Sequence, residues 1–282
     1  MSAGALFAAA VMPGLLLSGL YLVYILVIAI ARPQLAPKIP PGYGPQTRGE
    51  FWREMWHGLA PMTFLMVIVL GSIFAGWATA TESAGIGVLG SFVIAWINNR
   101  LKLPMVKDSI RDACRANAMV FMLFLGATGF SYVFRALGGD DLMIATLARF
   151  GIDTRWEILG FVMVLIFLLG FPFEWIEIFL IVLPVFTPIL AKLDFADHLG
   201  SSAFFMAWFG TLVAVNLQTS FMTPPFGATL FYLKGTVPAG ITMSDVYRGM
   251  WPFVAIQIIG LILCMALPDI VLWLPRWAGL LD

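Results

Sequence analysis

The chain has 282 residues, of which 61% are hydrophobic and 11% charged, and its mean hydropathy is +0.94. Such a composition is far too apolar for a water-soluble globule and places the chain in a bilayer. Lys+Arg and Asp+Glu balance at 16 each, so no basic surplus points to nucleic acid.

Residues 4–31, within MSAGALFAAAVMPGLLLSGLYLVYILVIAIAR, form a first span, because about 20 apolar residues cross the hydrocarbon. The segment lacks a basic leading region and is too long for a signal-peptide core, so it reads as a mature span. Residues 32–57 are rich in Pro, Gly and charge and read as a water-exposed loop. Residues 58–78 then cross, and 82–97 cross back after a tight turn through Thr79, Ala80 and Thr81. Thr79 and Glu82 match a capping box that starts the returning helix. A loop over 98–116 carries Arg100, Lys102, Lys107, Arg111 and Arg115, and 117–137 make the fourth span. Gly85, Gly87 and Gly90, like Gly126, Gly129 and Ser131, fit close helix packing. Asp140 and Asp141 follow two glycines and read as loop residues.

Beyond residue 156 the pattern changes. Residues 157–169 (EILGFVMVLIFLL) reach only about 20 Å at 1.5 Å per residue, short of the roughly 30 Å needed. With 175–190, which contain Pro184 and Pro188, they read as a re-entrant helical hairpin whose tip lies at 170–174. Residues 203–218 and 226–234 read as two half-helices flanking a break, and 250–274 as a final span, in which Gln257 reads as an interhelical hydrogen-bond partner. On this topology the loops 32–57, 98–116 and 234–248 share one side with four, five and two basic residues; the other side has three, one and one. Eleven against five puts the richer side in the cytoplasm and both termini outside it.

The break, NLQTSFMTPPFGATLF, carries the chemistry. Main-chain groups freed from a helix at membrane depth cost several kcal/mol each unless protein, water or an ion satisfies them. Pro224 and Pro225 have no N–H to donate, and Gly227 permits positive φ or a close approach. One half-helix ends in carbonyls near Gln218 and the next begins with amides near Phe226. Those carbonyls, with the hydroxyls of Thr219, Ser220 and Thr223, suit a small hard cation such as Na⁺, which Thr219 and Thr223 would ligate; the amides suit a carboxylate. Secondary transporters build midplane sites this way. Opposite the break, the hairpin tip supplies Gly170, Phe171 and Glu174. Glu174 either faces the site or caps the helix that follows, while Glu177 has no assigned role.

Cys114 lies in a charged loop and Cys264 in an apolar span, so neither a disulfide nor a zinc site with His57 and His198 is expected. No P-loop, H-E-x-x-H or G-x-S-x-G is present, which leaves an ion gradient or a partner as the power source for transport. Three readings stand. The chain is a cation-coupled permease component, a non-transporting assembly subunit, or a membrane-embedded enzyme using Glu174 and Glu177 as acid and base. The third lacks a nucleophile and a metal cluster, and no organic cofactor is expected under any of them.

Several stretches, taken in order, resemble the large membrane subunit of tripartite ATP-independent periplasmic (TRAP) transporters: ALFAAAVMPGLLLSGLYLVYI, WATATESAGIGVLG, LGATGFSYVF, GFPFEWIEIFLIVLPVFTPIL, NLQTSFMTPPFGATLFYLKG and VYRGMWPFVAIQ. The turn reads TATE where the family has TPTE. The resemblance implies an all-α, polytopic membrane protein with a re-entrant hairpin and a discontinuous helix, one inverted repeat of an elevator-type fold. It further implies a sodium symporter of the bacterial inner membrane that takes organic acids from a periplasmic binding protein and works with a small membrane subunit. Residues 1–282 then correspond to the C-terminal repeat plus one preceding span. The N-terminal repeat of the permease, with its own hairpin and broken helix, is not found in the chain, which makes a missing permease half a further expected partner.

Overall fold

A computed structural model describes residues 2–35, 45, 47–223, 230, 233 and 242–281. In chain order its helices are α1 (Ala3–Ala31), α2 (Arg48–Phe74), α3 (Ala80–Ile97), α4 (Leu103–Ala136), α5 (Gly139–Arg149), α6 (Arg155–Leu169), α7 (Trp175–Ala191), α8 (Ala196–Leu199), α9 (Phe205–Leu217), α10 (Met243–Ala266) and α11 (Asp269–Trp277). No strand occurs among the described residues, and the protein is an all-α, polytopic membrane protein. Helices α1, α2, α3, α4 and α10 are long and apolar enough to cross a bilayer. At 15 and 17 residues, α6 and α7 fall below the roughly 20 that a crossing needs, and only the turn 170–174 separates them.

Four of these helices open on one local signal, a threonine followed three residues later by an acid. Thr47 with Glu50, Thr79 with Glu82, Thr154 with Glu157 and Thr242 with Asp245 form reciprocal capping boxes at the starts of α2, α3, α6 and α10. Two of them change the sequence reading: α2 begins at Arg48 and α10 at Met243, inside stretches whose polarity suggests loop. Helix α4 likewise starts at Leu103, where Pro104 suits the first turn, so most of the charged segment 98–116 is helical. Asp140 and Asp141 sit in the first turn of α5, where the helix dipole favours carboxylates. The expected final span is two helices, because Pro268 interrupts the chain between α10 and α11.

Helix α9 occupies the centre, packed by α1, α6, α7, α10 and α11. Every residue of α9 is buried except Met206, Gly210 and Ala214, which recur at the four-residue spacing of one helix face. Gly210 lets α1 approach, since a Cβ there would stand 3.2 Å from Leu6. Around this core, α2 and α3 form an antiparallel pair joined by a buried Ser72–Ser83 hydrogen bond of 2.8 Å. Gly87 and Gly90 admit Val69 and Leu65 into that pair, whereas among the described residues nothing approaches Gly85, Gly126 or Gly129. These three do not show, among the described residues, the close packing expected of them. Helix α4 leans on α7 and α5. The outward faces of α2, α3 and α4 carry large apolar side chains such as Leu59, Phe64, Leu89, Phe121 and Leu125, as lipid or apolar protein neighbours require.

At the end of the core the ends of α10 and α6 and the segment before α9 are tied together. The carbonyl of Cys264 has lost its usual donor because residue 268 is proline; Trp208 Nε1 donates to it at 3.0 Å. His198 Nε2 lies 2.9 Å from the Met265 carbonyl. Arg276 donates to the Leu199 carbonyl at 2.5 Å and to Asp269 at 2.7 Å. Arg155 grips both carboxylate oxygens of Asp197 at 2.7 and 2.5 Å and also donates to the Asp194 carbonyl.

Arg155 holds the Asp197 carboxyl below the ordinary aspartate range, first through these hydrogen bonds and then through its charge. A depressed folded-state pKa stabilises the fold above the unfolded value, and that contribution fades as pH falls through the depressed one. Amide protection over residues 192–204, taken relative to the intrinsic exchange rate at each pH, is therefore expected to hold at neutral pH and to drop only in strong acid. Asp197→Asn should give the lower protection already at pH 7; unchanged protection in that variant would show that the pair holds nothing in place.

Candidate functional site

Helix α9 stops at Leu217 and tightens into a 3-10 turn over Gln218–Phe221. Chain-end carbonyls that would otherwise be orphaned are taken up locally. Thr219 Oγ1 donates to the Asn216 carbonyl at 2.6 Å, and the Thr219 carbonyl accepts from Thr223 Oγ1 at 3.2 Å and from the N–H groups of Met222 and Thr223 at 3.0 and 3.1 Å. Thr219 and Thr223 are both buried. Their hydroxyl protons are thus spent on the main chain, and only oxygen lone pairs remain to face a ligand. Gln218 is exposed. The side chain of Ser220, together with Pro224, Pro225 and Gly227, lies outside the described residues, as does most of the second half-helix; Leu230 and Leu233 are helical.

Beside this turn lies a polar cluster that the sequence reading does not assemble. Asn216 donates from its amide nitrogen to the Met163 carbonyl of α6 at 2.7 Å, and its buried Oδ1 has no hydrogen-bond partner among the described residues. Gln257 of α10 is 0% exposed, and neither its Oε1 nor its Nε2 has a partner among the described residues. Asn216, Thr219 and Gln257 line one cavity of about 260 Å³, whose remaining wall is apolar and includes Met163, Phe167 and Leu261. The expected interhelical bond of Gln257 is not found among the described residues. Unpartnered buried amides cost about 1–3 kcal/mol each, so their convergence on one cavity calls for a reason other than stability.

The hairpin tip reaches the same region. The Trp175 ring at the start of α7 lies 6.3 Å from that of Phe221, at the end of the 3-10 turn. Gly170 is buried and ends α6, with its N–H on the Ile166 carbonyl. Phe171 is half-buried and packs edge-on against Phe167, which itself lines the cavity. Glu174 is exposed and stands at the helix start, where its N–H donates to Glu177 Oε2 at 3.4 Å. This is the helix-start arrangement, and it sets Glu174 outside the polar cavity.

Taken together, Asn216, Thr219 and Gln257 bring two buried amides and a hydroxyl to the wall of one mostly apolar cavity beside a helix end. Oxygen donors of this kind match a hard cation. Among the described residues no three His, Cys, Asp or Glu side chains converge on a point. Asn216 and Gln257 are the residues that sequence reasoning missed. The signal was present in part: Asn216 opens the quoted break, and Gln257 is the lone amide of an apolar span.

Residues 1–270 match the family model described as the tripartite ATP-independent periplasmic transporter, DctM component. The chain is 28% identical over 281 residues to the C4-dicarboxylate TRAP transporter large permease protein DctM of Pseudomonas aeruginosa, covering 99% of this chain and 61% of that protein. It is 23% identical to the sialic acid TRAP transporter permease protein SiaT of Haemophilus influenzae, over 96% of this chain and 41% of that protein. It is 22% identical to the 2,3-diketo-L-gulonate TRAP transporter large permease protein YiaN of Escherichia coli, over 83% and 53% of the two. The chain spans about three fifths of the length of the Pseudomonas relative.

Proposed function

Because the chain belongs to the DctM-component family of tripartite ATP-independent periplasmic transporters, we propose that it is a permease component of the bacterial inner membrane that imports organic acids along a Na⁺ gradient. A periplasmic binding protein delivers the solute, and a small membrane subunit completes the assembly. Full transport also draws on the remaining permease length that the relatives carry, on this polypeptide or on another. The observation that carries this reading is the buried Asn216 Oδ1 and Gln257 amide, which have no partner among the described residues and lie on one cavity beside the 3-10 turn. Na⁺ sits among Asn216 Oδ1, Gln257 Oε1 and Thr219 Oγ1, with Thr223 shaping the chain end. The solute carboxylate lies toward the end of the 3-10 turn, on the side of Phe171 of the hairpin tip. Glu174 and Glu177 serve the start of α7, which favours transport over acid–base catalysis.

The test is uptake in proteoliposomes that contain the complete assembly, under an inward Na⁺ gradient with a panel of labelled C4-dicarboxylates and sugar acids. Uptake should need the gradient and should fall at least about tenfold on Thr219→Val, the loss expected when one cation ligand of more than ~1.4 kcal/mol is removed. Uptake of equal size with Na⁺ balanced across the membrane, or driven by a proton gradient alone, would overturn the reading.

A further inference from the structure

Helix α7 contains Pro184 and Pro188, spaced so that two main-chain carbonyls lose their helical donors. Pro184 has no N–H for the Leu180 carbonyl, and Pro188 none for that of Pro184. Both carbonyls fall on one face, four residues apart, and α4 packs on α7. Arg135, in the last turn of α4, donates a guanidinium N–H to the Pro184 carbonyl. Its remaining N–H groups line a cavity of about 630 Å³ between the two helices. Ser131, one turn earlier, lines the same cavity; it is nine-tenths buried and its hydroxyl oxygen has no hydrogen-bond partner among the described residues. Helical serines and threonines ordinarily bond back to the carbonyl four residues before, as Thr128 does to Phe124 at 2.7 Å. Ser131 does not.

From this polar end the cavity runs down an apolar wall formed by Phe124, Ala127 and Leu180. It continues into a second cavity of about 440 Å³ that shares Ala127 and Leu180 and ends near Phe173 and Glu177. Gly126 keeps this lower part open, since nothing lies within 4 Å of where its Cβ would be. The groove is therefore cationic and hydrogen-bonding at one end, apolar along its length and acidic at the other. An anionic amphiphile fits it in one orientation only, because Glu177 repels a phosphate and Arg135 attracts one. Arg135 also sits at the end of a membrane-spanning helix, the depth at which lipid phosphates lie.

We propose that the groove between α4 and α7 binds one anionic phospholipid, its phosphate held by Arg135 and Ser131 and an acyl chain lying along Ala127 and Leu180. Helix α7 is half of the hairpin that meets the 3-10 turn, so the bound lipid fills the seam between that hairpin and α4.

Native mass spectrometry of the purified chain in mild detergent, titrated with phosphatidylglycerol or phosphatidylcholine of the same chain length, tests this. Wild type should retain one phosphatidylglycerol in preference to phosphatidylcholine. Arg135→Gln should weaken phosphatidylglycerol retention about tenfold, toward the phosphatidylcholine level, as losing a charge-assisted hydrogen bond implies. Ser131→Ala should weaken it severalfold. Leu180→Trp, which fills the groove without changing charge, should weaken both lipids, while Arg149→Gln on α5 should weaken neither. If Arg135→Gln is not monodisperse because the Pro184 carbonyl loses its donor, Ser131→Ala and Leu180→Trp decide. Equal retention of both lipids overturns the proposal, as does wild-type retention in Ser131→Ala and Leu180→Trp. Inorganic phosphate that binds where phosphatidylglycerol does not would make this a free-anion site and also overturn it. So would lipid retention that vanishes once the small membrane subunit is bound, because a polypeptide would then be the occupant.

Discussion

Trp208→Ala is expected to destabilise the fold by about 3–5 kcal/mol, the upper range for large-to-small substitutions in a core. Three losses coincide. The indole is fully buried at the centre of the bundle, so its removal leaves a cavity bounded by helices that other contacts hold in place. The rings of Trp156, Phe195, His198 and Phe205 surround it at centroid distances of 6.3, 5.6, 5.6 and 6.5 Å and lose their edge and tilted contacts. The Cys264 carbonyl, already without a helical donor, loses the Nε1–H that replaced it. Trp208→Phe separates these terms, because it keeps most of the ring volume and removes the hydrogen bond; about 1–3 kcal/mol is expected from the orphaned carbonyl. Denaturant unfolding in detergent, followed by helical circular dichroism, reads both. Equal midpoints for Trp208→Phe and wild type would show that the hydrogen bond is not needed.

Gln257→Leu is expected to move stability and transport in opposite directions. Leucine nearly matches the shape of glutamine and removes two buried polar atoms that lack partners, so thermal unfolding in detergent should shift upward, by about 1–3 kcal/mol. Uptake driven by Na⁺ should fall about tenfold or more, since the proposed ion site loses one oxygen. That opposition is the mark of a residue kept for function at the expense of the fold. Asn216→Leu provides the contrast: it removes the 2.7 Å bond to Met163 as well, so it should lower both stability and uptake. Should Gln257→Leu stabilise the protein and leave Na⁺ dependence intact, the cavity would be a packing flaw and the ion site would lie elsewhere.

Much of the architecture is readable from local chemistry. The α6 and α7 pair is recognisable by length alone, and the end of α9 falls where Gln218, Thr219 and Thr223 announce a change of geometry. Helix starts are less visible when charge is weighed above capping. The stretch before residue 58 is polar, yet Thr47 and Glu50 begin α2 there, and Thr242 with Asp245 begins α10 in the same way. The split between α10 and α11 hides in apolar composition, although Pro268 marks it. What no local pattern shows is which neighbour a buried group meets. Gln257 has no partner among the described residues, and Arg135 finds the Pro184 carbonyl across 49 positions of sequence. Gly126 and Gly129 illustrate the same limit: small residues permit contact or leave a gap, and only the packed fold distinguishes the two.

The seal between α1 and α10 carries a consequence for how the protein is made. Leu17 fits against Gly260 so closely that an added Cβ would collide with it, and Tyr21 and Tyr24 set their rings edge-on to Phe253 at 5.4 and 5.3 Å. These surfaces belong to helices far apart in sequence, Leu17 and Gly260 being 243 positions apart. At ribosomal speeds of about 5–20 residues per second, α1 waits in the membrane on the order of tens of seconds before its counterpart emerges. Assembly must therefore include a lateral docking step that joins these two distant helices, and until then the face of α1 that Gly260 and Phe253 cover stays open.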